Sequence, residues 1–266
     1  MVMESGRSGR GADSAAARTQ GDDSTAQEAL ASAGGGRSPV YGYLRRPSMV
    51  DYPGQLAVVL FTAGCNFRCG FCHNPELTGQ PRLGMSWPRL EQACDTMAAN
   101  WVDAAVVTGG EPTMICSLPE LLVFLRARGF RVKLDTNGSN PDLLARCLPL
   151  LDYVAMDIKT GLSEYAALTG FADTGKLRDS MQLLRYHAPD YELRTTLIEP
   201  IHGPAQLQEL ADMVRGAHRY VLQPFVPGAA LPDPEYRAYP RTSPQFLLRA
   251  REVFEGSVDE LVTRGT

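Results

Sequence analysis

Three cysteines stand within eight positions, in the run Gly64-Cys65-Asn66-Phe67-Arg68-Cys69-Gly70-Phe71-Cys72-His73-Asn74-Pro75. Thiolates spaced by three and then two residues can wrap one compact soft-metal centre from a single loop. Zinc competes for such ligands, but structural zinc wants four of them, usually as two separated pairs. The other cysteines, Cys94, Cys116 and Cys147, are scattered singly, and His73 abuts Cys72 too closely to close a tetrahedron well. The same distribution speaks against a disulfide framework and for a reducing compartment. An iron–sulfur cubane held by Cys65, Cys69 and Cys72 alone would keep one iron open to a further ligand.

Four more polar groups invite a chemical reading. In Gly109-Gly110-Glu111-Pro112, two glycines let the backbone approach a ligand, and the carboxylate can meet a cationic amine; a tight turn is the plain alternative. Asp135-Thr136-Asn137-Gly138 offers polar groups to a ribose or a bound cation, or serves only as an Asx-type turn. Asp157 and Lys159 lie two apart, on one side of an extended chain, where the alternative is an ion pair worth little. Arg194 interrupts an apolar run, so its head must reach solvent or an anion, either a cofactor carboxylate or a structural Asp or Glu. His202 is a weaker candidate, because a lone loop histidine is more often structural; His187 and His218 read as helix-end residues.

Apolar, β-rich runs at 56–61, 104–107, 131–134, 153–156, 193–198 and 220–222 predict strands, several of them apolar on both faces as in a parallel sheet. Helical spacing falls between them. Ser117-Leu118-Pro119-Glu120 reads as a capping box with Gly129 as the stop, and Pro204 suits a first turn. Further helices are expected at 88–101, 141–151, 176–187 and 244–255. Six strands, each followed by a helix, imply an α/β fold, a partial (βα)6 open barrel of TIM type. In such folds ligand chemistry gathers at the carboxyl ends of the strands. The cysteine loop and the polar motifs at 109–112, 135–138 and 157–159 each follow a predicted strand, and Arg194 lies within one.

Residues 1–38 are rich in Gly, Ala and Ser and hold no aromatic residue, which predicts a disordered tail before a single domain at 39–266. A length of 266 residues with 44% apolar content supports one core. The net charge of −4 disfavours nucleic acid as a partner. No apolar stretch approaches the ~18–20 residues a bilayer needs, and no secretory h-region is present, so a cytoplasmic protein without a membrane partner is expected.

The Cys-x3-Cys-x2-Cys loop, with Phe71 before its last cysteine, together with the GGEP element resembles the radical S-adenosylmethionine (SAM) superfamily, from about Tyr41 to Phe225. The resemblance implies a [4Fe–4S] cluster on Cys65, Cys69 and Cys72, with S-adenosyl-L-methionine at the open iron. It implies cofactor contacts from Phe71, Gly109, Gly110 and Glu111 (the last to the methionine amino group), from Asp135, Thr136 and Asn137, and from Asp157, Lys159 and Arg194. Within the superfamily, Val50-Asp51-Tyr52-Pro53-Gly54 and Cys72-His73-Asn74-Pro75-Glu76 resemble glycyl-radical-enzyme activating proteins, most closely those of anaerobic ribonucleoside-triphosphate reductase. That likeness implies reductive cleavage of the cofactor to a 5′-deoxyadenosyl radical, a glycyl-radical enzyme as partner, and a low-potential electron donor such as flavodoxin or ferredoxin. Pyruvate formate-lyase activating enzymes carry a histidine where Val226 stands, and the ferredoxin-like insert of some activators is absent, so one cluster is expected. A small-molecule enzyme resembling 7-carboxy-7-deazaguanine synthase and a non-catalytic iron–sulfur electron carrier are the alternatives.

Overall fold

The run Ala57-Val58-Val59-Leu60-Phe61 is apolar at every position because the strand it forms is covered on both faces. Ala57, Val59 and Phe61 point to one buried cluster, with Ala104, Val106, Tyr153 and Ala155, while Val58 and Leu60 point to another, beneath the helices. The computed structural model describes residues 3–5 and 36–265. Its strands are β1 (Met3–Ser5), β2 (Gly42–Leu44), β3 (Ala57–Thr62), β4 (Ala104–Gly109), β5 (Arg131–Thr136), β6 (Tyr153–Asp157), β7 (Tyr191–Leu197), β8 (Arg219–Pro224) and β9 (Glu260–Thr263). They form one sheet in chain order. The first three pair antiparallel and β3 to β9 run parallel.

Helices α1 (Trp87–Ala98), α2 (Leu118–Ala127), α3 (Pro141–Cys147), α4 (Tyr165–Thr169), α5 (Thr174–His187), α6 (Pro204–Val214), α7 (Pro234–Ala238) and α8 (Pro244–Phe254) supply the crossovers. Six of them carry proline at the first or second position, where a missing N–H costs nothing. The open α/β barrel expected from the sequence is therefore present, with all six anticipated strands.

Three local expectations need correction. Ser117 makes no side-chain cap bond, so the capping box does not form. The chain enters α2 from a 3-10 turn at Pro112–Met114, leaving Ser117 at ψ 10° and not in the extended conformation that aims a hydroxyl at the first turn. A seventh parallel strand, β9, closes the series; its short run held no readable period. Within the segment expected to be disordered, Met3–Ser5 pairs with β2, Arg37 bridges Ser86 and Ser38 is buried; the rest of that expectation lies outside the described residues. No helix among the described residues is long and apolar enough to cross a membrane.

The inner cluster fills the barrel, and its floor is the Asp51-Tyr52-Pro53-Gly54 loop. Tyr52 is buried, with its ring centroid 5.7 Å from that of Tyr153. A barrel plugged at the amino ends of its strands leaves access only at the carboxyl ends.

Candidate active site at the carboxyl ends of the strands

The cysteine loop leaves β3 and is fastened at both shoulders. Cys65 N donates to Gly79 O at 2.7 Å, and Arg68 N donates to Thr169 O at 2.7 Å. Phe67 is buried between Tyr165 and Phe171, at centroid distances of 6.0 and 5.1 Å. Cys65, Cys69 and Cys72 are all half-buried and free, and all three line one cavity of about 240 Å³. All ten other predicted site residues, Phe71, Gly109, Gly110, Glu111, Asp135, Thr136, Asn137, Asp157, Lys159 and Arg194, line the same cavity. Five segments between Cys65 and Arg194 are thus brought together by the ends of β3 to β7.

The donor set fits an iron–sulfur cluster better than a single ion. Four tetrahedral thiolates on zinc would lie within about 4 Å of one another, given Zn–S bonds of about 2.3 Å. Among the described residues, no group of three or more Cys, His, Asp or Glu is arranged to hold a single metal ion. A cubane distributes its iron atoms over separate corners and accepts thiolates that are further apart. Burial pushes the Cys65 thiol up to about 12, with Glu111 adding to the effect, and the Cys69 thiol up to about 11; Cys72 is raised for the same reason. Burial therefore favours the protonated thiols, whose protons a bound metal centre must displace.

Gly109 and Gly110 are glycines for reasons of packing. A Cβ on Gly109, at φ +126°, would lie 2.2 Å from Thr62 O, and one on Gly110 would lie 2.0 Å from Gly64 O. Both glycines line the cavity, and each also comes close to backbone, Gly109 to the end of β3 and Gly110 to the start of the cysteine loop, a contact sealed by Glu111 N donating to Gly64 O at 2.7 Å.

Among the described residues, Glu111 meets no amine. Its Oε1 accepts from Thr113 N (3.0 Å), Thr113 Oγ1 (2.6 Å) and Thr136 Oγ1 (2.7 Å), and its Oε2 from Asn137 N (2.6 Å). It is 1% exposed. Burial raises its pKa, against the pull of those four bonds. A carboxylate has about four acceptor directions, two on each oxygen, so Oε2 keeps one for a ligand. Asn137 forms an Asx turn through Ser139 N (2.9 Å) and spends its amide on Asn66 Oδ1 (3.0 Å), 3.9 Å from Cys65 Sγ. Turn and site are therefore the same object here.

Across β5, β6 and β7 runs a chain of alternating charge. Lys133 Nζ lies 2.5 Å from Asp135 Oδ1, and Arg194 Nη2 3.2 Å from Asp135 Oδ2. Arg194 Nε also donates to Asp157, and Lys159 Nζ lies 2.9 Å from Asp157 Oδ2. Arg194 thus meets two structural acids while also lining the cavity. Burial opposes ionisation of Asp157 and Asp135, but the Arg194 charge, with Lys159 and Lys133 respectively, outweighs it and holds both below the usual carboxylate range. Burial likewise opposes the charge on Lys159, and Asp157 and Cys69 overcome it.

His202 is structural. Its ring lies between Ile198 N (2.9 Å) and Lys159 O (3.0 Å), and burial lowers its pKa. Sequence reasoning missed Lys133, 1% exposed within a strand, and also Thr196 and Gln223, which pair in register on β7 and β8 and face the cavity. Period-two spacing from Arg194 would have found Thr196.

The sequence pattern described as the Radical SAM superfamily matches residues 59–213. Over 225 residues the chain is 28% identical to the "Putative glycyl-radical enzyme activating enzyme" of Methanocaldococcus jannaschii, covering 82% of this chain and 92% of that one. Over 107 residues it is 38% identical to the 7-carboxy-7-deazaguanine synthase of Neisseria meningitidis, covering 40% of this chain and 45% of that enzyme. Among solved structures, Streptococcus suis SuiB bound to S-adenosylmethionine superposes with a TM-score of 0.58 at 17% identity. That match spans 78% of this chain and about half (52%) of the SuiB chain, a likeness of fold.

Proposed function

We propose, from the premise that this chain belongs to the radical SAM superfamily, that it activates a glycyl-radical enzyme by generating a glycyl radical on it, with anaerobic ribonucleoside-triphosphate reductase as the partner. Superfamily members use a [4Fe–4S] cluster and S-adenosyl-L-methionine. When bound, these supply one electron to the cofactor sulfonium and hence a 5′-deoxyadenosyl radical able to take a Cα hydrogen from glycine.

The chain's own residues bind, orient and exclude water. Cys65, Cys69 and Cys72 hold the cluster from one fastened loop. Lys159, with one of its three donors on Asp157, offers the other two to the cofactor carboxylate. Glu111 offers its remaining Oε2 lone pair to the cofactor amine while bracing the β5 turn. Asp135, Thr136 and Asn137 line the ribose side. Arg194 positions Asp135 and Asp157 and does not itself meet the ligand. The plugged floor leaves only the mouth for a polypeptide to enter. A low-potential flavodoxin or ferredoxin would deliver the electron.

The observation that carries this reading is the single cavity shared by the three thiols and the motif residues of β4 to β7. Near-complete coverage of an activating-enzyme relative supports the activator branch, whereas the synthase matches cover less than half of each chain. The test is anaerobic reconstitution and reduction, addition of S-adenosylmethionine, and assay of 5′-deoxyadenosine, followed by EPR for a glycyl radical on the reductase from the same genome. Absence of 5′-deoxyadenosine would sink the enzyme reading. Cofactor cleavage with no radical on that reductase, but formation of 7-carboxy-7-deazaguanine, would replace the activator by the synthase.

A further inference from the structure

The cysteine loop is covered on its outer side by a segment far from it in the chain. Asp233 N, just before α7, donates to Gly70 O at 3.2 Å, between Cys69 and Cys72. Tyr236 of α7 lies over the same point, its ring centroid 5.5 Å from that of Phe71. A Cβ on Gly70 would lie 2.7 Å from the Tyr236 ring and 2.9 Å from Asp233 Cβ. Gly70 is not among the positive-φ residues, so glycine is required here by space and not by backbone conformation. Cys69, Phe71 and Tyr236 belong to one small apolar cluster with Ile198, Phe225 and Leu231. Tyr239 extends it outward, 5.4 Å from Tyr236.

We propose that Tyr236 is a positioning residue for the cluster: its ring shields the Cys69–Cys72 side of the loop from water and so sets the reduction potential and lability of whatever the three thiolates hold. This rests on the assignment of a [4Fe–4S] cluster to those thiolates. An anionic cluster becomes more anionic on reduction, and water stabilises the greater charge, so solvent exposure is one of the levers on cluster potential. Removing the ring admits water, which favours the reduced state and opens the iron to chelators.

The experiment uses the full chain, anaerobically reconstituted, in wild-type, Tyr236→Ala, Tyr236→Phe and Gly70→Ala forms, with circular dichroism as a check on folding. EPR-monitored redox titration and the rate of iron loss to an Fe(II) chelator are the readouts. Tyr236→Ala is expected to raise the reduced-to-oxidised ratio at fixed potential about tenfold, equivalent to ~59 mV for one electron, and to speed iron loss severalfold. Tyr236→Phe keeps the ring and is expected to match wild type. Gly70→Ala, which must push the ring away, is expected to shift both readouts in the same direction, with little further change when combined with Tyr236→Ala. A folded Tyr236→Ala protein with wild-type potential and wild-type iron loss overturns the inference. Failure of the wild-type chain to take up any [4Fe–4S] cluster overturns the functional reading and this inference with it.

Discussion

Replacing Arg194 by Met separates its two possible roles, because they load different measurements. Its guanidinium bridges Asp135 and Asp157, and the three side chains are only 16%, 12% and 25% exposed. One such contact at 3.2 Å is worth roughly 5 kcal/mol of gross attraction at an effective dielectric of about 20. Desolvation cancels much of that, and breaking a buried pair by removing one partner costs about 3–5 kcal/mol net. Each aspartate keeps a lysine, Lys133 or Lys159, so the lower end applies and Arg194→Met should cost about 3 kcal/mol. Urea unfolding measures it. In a double-mutant cycle with Asp157→Asn, the combined loss should fall short of the sum by about 1.5 kcal/mol or more, since both changes remove one shared contact.

Two further readouts follow from the same geometry. Cofactor affinity, measured by equilibrium dialysis of the reconstituted protein, should change less than about threefold, since the guanidinium is already committed to carboxylates. The depressed Asp135 and Asp157 values mean that their stabilisation is full above the ordinary unfolded carboxylate pKa of about 3.9 and is lost as pH falls through the lower folded values. Arg194→Met should therefore flatten the acid limb of the stability profile. Additivity within about 0.5 kcal/mol, or near-normal stability with a large loss of cofactor affinity, would refute the structural role of Arg194.

Glu111→Ala orphans the buried Thr113 and Asn137 backbone N–H groups and should cost about 2–6 kcal/mol by thermal or urea unfolding; a loss under about 1 kcal/mol would mean the brace is idle. With its pKa raised, Glu111 adds stability that is full below about 4.3 and lost as pH rises through the folded value, so Glu111→Gln should remove that slope. Cys69→Ala should abolish both the cluster absorption and 5′-deoxyadenosine formation; persistence of either would overturn the thiolate assignment. Arg264 makes a two-pronged contact of 2.8 and 2.6 Å with fully buried Glu192. Arg264→Ala should therefore destabilise the fold by about 3–5 kcal/mol, and an unchanged melting temperature would count against the pair.

What the sequence disclosed and what it hid divide along the range of the contacts involved. Strands β3 to β8 were legible because each carries its own apolar run, and the barrel rule then placed every motif at one edge. The use of Gly109 and Gly110 against Thr62 and Gly64 was not legible, since nothing local distinguishes a glycine that admits a ligand from one that admits a neighbouring loop. Ser117 carried a correct local signal that the preceding 3-10 turn overrode. Lys133 read as an ordinary strand residue, because its partner Asp135 shares its face only once the strand is built. Tyr236 lies more than 160 positions from Gly70 and has no pattern of its own.

The charge chain also explains why so crowded a site can still take an anion. Its order is Lys133, Asp135, Arg194, Asp157, Lys159, so it begins and ends with a cation and carries one positive charge in excess. The middle members neutralise one another, and the excess resides at the ends. Lys133 is sealed at 1% exposure and can meet nothing that enters from the mouth. Lys159 is 19% exposed, lines the cavity and is among the charges acting on Cys69. On the proposed function, the cofactor carboxylate meets the Lys159 end, beside the three cysteines, while Arg194 holds the two aspartates that would otherwise repel it.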